Sequence, residues 1–254
     1  VSGPLTLAFV DLDDTVLSSL RKLGPGDHTP VALSATDGWQ GYQNAAQRRL
    51  LRHLLAHADV IPTTGRSRTA FDRVQLTWWS WAILDHGATI LRPGGELDPT
   101  WTAQVEKILS RSDAALRGLT ERLATHLRGT QPELSVRIHD LGGHAIYAVV
   151  KHPGRQPGAL RAAAAYLQAL TEGHADWSVF ANDSTLTLMP AAVSKAAAVT
   201  YVREQLDPHG QALTVGVGDT LSDLPFMALC DYALTPGRSQ VMTAAATLHP
   251  VNHP

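Results

Sequence analysis

The short apolar run Leu5 to Val10 stops abruptly at Asp11-Leu12-Asp13-Asp14-Thr15, and this junction constrains the chain more than any other feature. An apolar run without polar alternation is the pattern of a strand buried on both faces of a parallel sheet. Such a sheet needs helices on both sides, so the run implies an α/β layer architecture with its acids at a strand's carboxyl end. Ligands of open α/β sheets gather there. The 254 residues suffice for one core, or for a core with a second lobe of about 100 residues.

The same arrangement recurs along the chain. A helical pattern from about Ala45 to His57 leads to the apolar segment Asp59 to Pro62, which stops at Thr63-Thr64-Gly65-Arg66. A further strand, Trp81 to Leu84, precedes Asp85-His86-Gly87, and a hairpin turn is expected near Pro93-Gly94-Gly95. From Thr100 the pattern changes to a helix, two alternating strands, a second helix from about Pro157 and a second strand pair. After Pro190 the first pattern resumes: a helix from Ser194, a buried strand Leu213 to Val217, and the turn Gly218-Asp219-Thr220-Leu221-Ser222-Asp223. The expectation is an α/β fold with a doubly wound, Rossmann-like parallel sheet core at 1–95 and 191–254. An α+β lobe of order α-β-β-α-β-β is inserted at 96–190.

Asp11, Thr64 and Asp219 are thereby predicted to meet at neighbouring strand ends. Asp11 and Asp13, two apart on a tight turn, can converge if the backbone curls, with Thr15 available to bond back to the turn. Asp219 and Asp223 arrive from another strand. A cluster of carboxylates with no histidine or cysteine at ligand spacing favours a hard cation, and Mg2+, which takes few carboxylates and keeps waters, suits it. Each piece alone has a plainer reading: an acidic turn, or caps at the starts of helices. Their order and context together point to a site.

This ordered set resembles the haloacid dehalogenase (HAD) superfamily of phosphotransferases, whose four motifs match Asp11/Asp13, Thr64, Lys195 and Asp219/Asp223. The resemblance covers the whole chain. The place of the insert is similar to the C2 cap class. Its α-β-β-α-β-β content is similar to the type IIB cap of sucrose-phosphate phosphatases, trehalose-phosphate phosphatases and phosphomannomutases.

The resemblance implies a magnesium-dependent phosphoric monoester hydrolase. Asp11 would be the nucleophile that forms an aspartyl-phosphate, and Asp13 the acid and base of the two half-reactions. Thr64, the Gly65 amide and Lys195 would bind the phosphoryl group. Mg2+ would be held by Asp11, the Asp13 carbonyl and Asp219, with Asp223 ligating through water or orienting its neighbours. A small phosphorylated molecule, with a sugar phosphate first, is the implied substrate. A phosphomutase of the phosphomannomutase type is the alternative, and a non-catalytic binding protein on the same scaffold is a third reading. Arg66 is expected to partner a carboxylate, Asp14 to be a turn residue, and Lys195 and Thr64 keep the plainer alternatives of surface helix residue and helix cap.

Other features bear on selectivity. Leu23 to Gly41 is a long Gly/Pro-rich segment leaving the nucleophile turn, open between a surface excursion and a pocket rim using Arg21, Lys22, His28 or Trp39. His86 stands where relatives commonly carry asparagine, and Ser222 likewise. In the insert, alternation sets Arg137 and His139 on one strand face against Val136 and Ile138. Arg137, His139 and Asn182 are the candidate substrate contacts there, with a merely solvated polar face as the alternative. Trp78, Trp79 and Trp81 are expected to pack rather than to stack on a ligand.

Composition narrows the partners. A formal net charge of −2 lacks the basic excess that draws nucleic acid or anionic membranes. No stretch approaches the roughly 18 apolar residues of a membrane span. The single cysteine, Cys230, excludes an internal disulfide and is expected in the core. Val1 to Val10 lacks the pattern of a signal peptide. A cytoplasmic monomer or homodimer is the expectation.

Overall fold

The computed structural model describes residues 5–153, 157–181 and 185–248. The chain divides into two compact units, one made of residues up to Asp98 and from Ser194 onward, the other of Pro99–Val193.

The first unit opens with β1 (Thr6–Val10), α1 (Leu20–Leu23), β2 (Thr29–Leu33), β3 (Trp39–Gln43), α2 (Ala45–His57) and β4 (Asp59–Pro62). It continues with α3 (Arg68–Phe71), β5 (Ala82–Leu84) and β6 (Thr89–Leu91). The second unit holds α4 (Pro99–Thr130), β7 (Ser135–Leu141), β8 (His144–Lys151), α5 (Pro157–Thr171), β9 (Trp177–Ala181) and β10 (Thr185–Pro190). The first unit then resumes with α6 (Lys195–Leu206), β11 (Leu213–Val217), α7 (Leu224–Met227), β12 (Tyr232–Leu234) and α8 (Gln240–Leu248).

The core sheet is parallel, in the order β12-β11-β1-β4, and a parallel bridge from Thr63 to Ile83 carries it on to the β5–β6 hairpin. Leu7, Ala8, Phe9 and Val10 are all fully buried, as an apolar central strand between two helical layers must be. Register fixes the site: Val10 lies beside both Val217 and Pro62, so β1, β11 and β4 end level with one another. Helix α2 begins at a capping box in which Asn44 and Gln47 satisfy each other's backbone amides. Gln47 also donates to the Ser18 hydroxyl, tying the helix to the turn after β1.

The second unit is an antiparallel sheet of order β7-β8-β10-β9. Leu116, Leu123 and Leu127 of α4 recur at helical spacing and share a core with Leu160, Ala163 and Leu167 of α5 and Leu186 and Leu188 of β10. Val136 and Ile138 pack on that core, so the two helices cover the face they occupy. No helix among the described residues is long and apolar enough to cross a membrane.

Residues 23–41 are more ordered than their Gly/Pro-rich composition suggests. They contain most of an antiparallel hairpin, β2–β3, whose pairing is broken by irregularities on either side of Ala32. Pro30 and the glycines hide the strands from a pattern search, because proline in a strand reads as a breaker except at an edge. Docking stabilises them: Val31 and Ala32 are buried in the core, and Gln75 donates its amide to Val31. Tyr42 exchanges two backbone hydrogen bonds of 2.8 Å with Ser18. Gly41 is required where β3 meets β2, since a Cβ there would stand 2.8 Å from the Ala32 Cβ. Gly41→Ala is therefore expected to cost about 1–3 kcal/mol in urea unfolding, through overpacking. Asp37→Ala at the exposed hairpin tip should cost under about 0.5 kcal/mol.

Candidate functional site

The level strand ends set the backbone of the site. The Asp11 amide donates to the Val217 carbonyl at 2.8 Å, and the Thr63 amide donates to the Val10 carbonyl at 2.8 Å. These bonds extend the parallel ladder one step past each strand, so Asp11, Gly218 and Thr63 stand side by side. The chain then turns away sharply. Leu12 accepts amides from Val16 and Leu17 at 3.0 Å, and Asp14 takes a left-handed conformation with φ 62°.

Asp11 is 6 % exposed, and Lys195 reaches it from the first residue of α6. Ser194 caps that helix by accepting the Ala197 amide, which fixes where Lys195 starts. The Lys195 Nζ donates to Asp11 Oδ1 at 2.6 Å and to Asp223 Oδ1 at 2.7 Å, and lies 5.7 Å from the centre of the Phe226 ring. The second oxygen of Asp223 accepts the Thr220 amide at 3.0 Å and the Thr220 hydroxyl at 2.8 Å. Asp223 is thus both the counter-ion of Lys195 and the knot of its own loop. Gly218 makes that possible, for a Cβ on it would stand 2.6 Å from the Asp223 Cβ.

Between Asp11 and Asp219 stands the Thr15 hydroxyl, 3.3 Å from Asp11 Oδ2 and 3.2 Å from Asp219 Oδ1. The sequence suggested only a bond back to the turn. Its bridge to a strand about 200 residues away needed the fold. Carboxylate oxygens of Asp11, Asp219 and Asp223 lie within 4.8 Å of one another, all buried. The Asp13 carboxylate is not among them. The turn sends it to Arg66, which holds it in a two-bond fork at 2.7 Å and 2.7 Å. Asp13 and Arg66 therefore pair as an acid and its guanidinium partner, with the Asp13 side chain 52 % exposed.

Thr64 is 1 % exposed. Its amide donates to Ile83 at 2.8 Å and its hydroxyl oxygen accepts the Arg66 amide at 3.2 Å. In the second unit Arg137 is exposed, and His139 is half-buried with its ring stacked on Tyr147 at 4.6 Å. Asn182 lies outside the described residues. Of the residues of the 23–41 region and its approach, Lys22 pairs with Asp14.

Three carboxylates around one ammonium leave an excess of negative charge. Burial pushes Asp11 well above the ordinary carboxylate range, and the charges of Asp223 and Asp219 add to this against the pull of Lys195. Burial, with Asp223 and then Asp14, lifts Asp219 to about 7. Burial also works against the charge on Lys195, but Asp11 and Asp223 outweigh it and raise its proton affinity. The pull of Lys195 and the Thr220 bonds overcome burial at Asp223, which is lowered. Buried acids whose proton affinity is raised for want of positive charge are suited to a hard divalent cation. Asp11 and Asp219 fit that role. Asp223, with both oxygens engaged, fits the positioning of Lys195 and of the Asp219 loop.

No protein-family model and no curated relative matches the sequence. Solved structures do match. The sucrose-phosphatase of Synechocystis sp. aligns over 96 % of this chain and 98 % of its own, at 16 % identity and a TM-score of 0.55. The C-terminal domain of Candida albicans trehalose-6-phosphate phosphatase aligns over 99 % and 78 %, at 14 % identity and 0.55. A Thermoplasma acidophilum protein aligns over 95 % and 89 %, at 12 % identity and 0.55. The chain therefore has the fold of the sucrose-phosphatase and trehalose-6-phosphate phosphatase structures, a Rossmann-like parallel core with an inserted α+β unit.

Proposed function

We propose that this protein is a phosphoric monoester hydrolase acting on a small organic phosphate, with a sugar phosphate as the leading class, through an aspartyl-phosphate on Asp11. The observation that carries the reading is the buried Asp11 carboxylate at a strand end, gripped by Lys195 and flanked by Asp219. The Synechocystis relative was solved with sucrose and phosphate, which supports the substrate class.

In this reading Asp11 attacks phosphorus, an oxygen–phosphorus bond forms, and the ester oxygen–phosphorus bond breaks. The leaving oxygen takes a proton from Asp13. Asp13 then takes a proton from water as that water displaces Asp11, releasing inorganic phosphate and restoring both acids. The Arg66 fork aims Asp13, which must exchange a fork bond for the ester oxygen as the proton moves. Thr64, its hydroxyl oxygen already accepting from Arg66, has its proton to donate to a phosphoryl oxygen. Lys195 screens nucleophile from phosphoryl charge. Mg2+, held by Asp11 and Asp219 with the Asp13 carbonyl, would neutralise phosphoryl oxygens as a Lewis acid. The first unit, 1–95 and 191–254, is the catalytic core in this proposal, and 96–190 the cap that selects substrate through Arg137, His139 and Asn182.

Inorganic phosphate release across a panel of sugar, nucleoside and small-acid phosphates tests the function. Mg2+-dependent release is expected, reduced by more than about a thousandfold in Asp11→Asn. Transfer between sugar positions without release would identify a mutase instead. Asp13→Asn is expected to lose about 10²–10⁴ in kcat. Arg66→Ala should lower kcat less, while leaving Mg2+ binding intact.

The metal assignment predicts a pH signature. Asp219 titrates at about 7 in the fold against 3.8 in the open chain, so between those values the folded state holds an extra proton. Stability of the metal-free protein therefore falls as pH rises through that window. Mg2+ competes with that proton, so its stabilisation in thermal unfolding should be larger at pH 8 than at pH 6. Asp219→Asn should abolish the Mg2+ shift.

A further inference from the structure

The turn between β5 and β6 carries three successive residues with positive φ: Asp85 at 51°, His86 at 57° and Gly87 at 105°. Side-chain-bearing residues rarely enter this region, and strained backbone clusters where function requires it. Here the surroundings hold it firmly. The Asp85 amide donates to the Arg66 carbonyl at 2.9 Å, the His86 amide to the Thr64 carbonyl at 3.2 Å, and the Thr89 hydroxyl to Asp85 Oδ2 at 3.0 Å.

The turn lays the imidazole of His86 directly on Gly65. A Cβ placed on Gly65 would stand 2.2 Å from His86 Cε1, 2.5 Å from Nε2 and 2.8 Å from Nδ1. Only glycine leaves room for the ring. On its other side the turn abuts the start of α6, where a Cβ on Gly87 would stand 2.2 Å from the Ser194 carbonyl oxygen and 2.8 Å from the Lys195 nitrogen. One three-residue turn thus spans from the loop that carries Thr64 to the helix that carries Lys195, and a half-buried imidazole is what it presents at the loop.

Two of that loop's backbone donors are already engaged. Of the three successive amides in Thr64-Gly65-Arg66, the first is committed to Ile83 and the third to the Thr64 hydroxyl. A phosphoryl group in flight spreads charge over three oxygens that must each be met. We propose that His86 contacts the substrate in the phosphoryl pocket, its ring N–H, held against Gly65, donating to an oxygen of the phosphoryl group beside Thr64 and Lys195. This rests on the phosphatase reading of Asp11.

The test uses inorganic phosphate, the product, as probe. His86→Phe keeps a ring of similar volume without a donor, and His86→Asn keeps a short polar donor on a residue that tolerates positive φ. His86→Phe is expected to raise the inhibition constant of phosphate and the KM of the best panel substrate about ten- to a hundredfold, with the melting temperature within about 2 °C of the parent. His86→Asn should recover part of that loss. In the unaltered protein, the histidine ring ¹⁵N resonance missing from His86→Asn should shift when phosphate and Mg2+ are added. An unchanged inhibition constant with bound phosphate overturns the proposal, and so does an unmoved ring resonance if His86→Phe fails to fold. Absence of both turnover and phosphate binding in the unaltered protein overturns the phosphatase reading itself, a distinct result.

Discussion

The ammonium of Lys195, buried between Asp11 and Asp223, organises everything around it. Taking such a charge out of water costs several kcal/mol, recovered only through close partners of opposite sign. Two carboxylates at hydrogen-bonding distance supply them, from strand ends that the sheet register brings level. The helix start, capped by Ser194, sets the lysine's root; Gly218 lets the Asp223 loop fold under it. Removing the ammonium would leave three buried acids facing one another, so this one residue ties the charge balance of the site to the integrity of the fold.

That balance is also deliberately incomplete. At the margin of the site Asp13 pairs with Arg66 and Asp14 with Lys22. The central group has three carboxylates to one ammonium, and burial raises the proton affinity of Asp11 and Asp219. In the proposed phosphatase such a site would exchange protons for a cation with little movement, because the oxygens already stand within reach of one another.

The core strands were legible because apolar runs ending in polar turns are a strong local signal, and their ends named Asp11, Thr64 and Asp219 as neighbours. The β2–β3 hairpin was not, because its stability comes from Val31 and Ala32 docking on distant residues while Pro30 and the glycines argue locally against strand. The i and i+2 spacing of Asp11 and Asp13 suggested convergent carboxylates, yet the second is engaged by Arg66 instead. His86 could be singled out as a departure from a motif, but its contact with Gly65 depends on backbone dihedrals that sequence patterns do not encode. The Thr15 bridge to Asp219 is of the same kind: a side chain's type is local information, its partner is not.

Asp98, at the seam where the chain leaves the first unit, has a consequence for how such proteins diversify. Its carboxylate takes a bond from Arg92 before the break and another, at 2.9 Å, from the Tyr201 hydroxyl after it. The two halves of the core are therefore stitched together at the point of departure and return, and the central acids, the lysine and the capping serine all belong to those halves. The excursion between them can be lengthened, exchanged or rebuilt without unpicking that stitch, and the halves that hold the buried acids stay joined as they are.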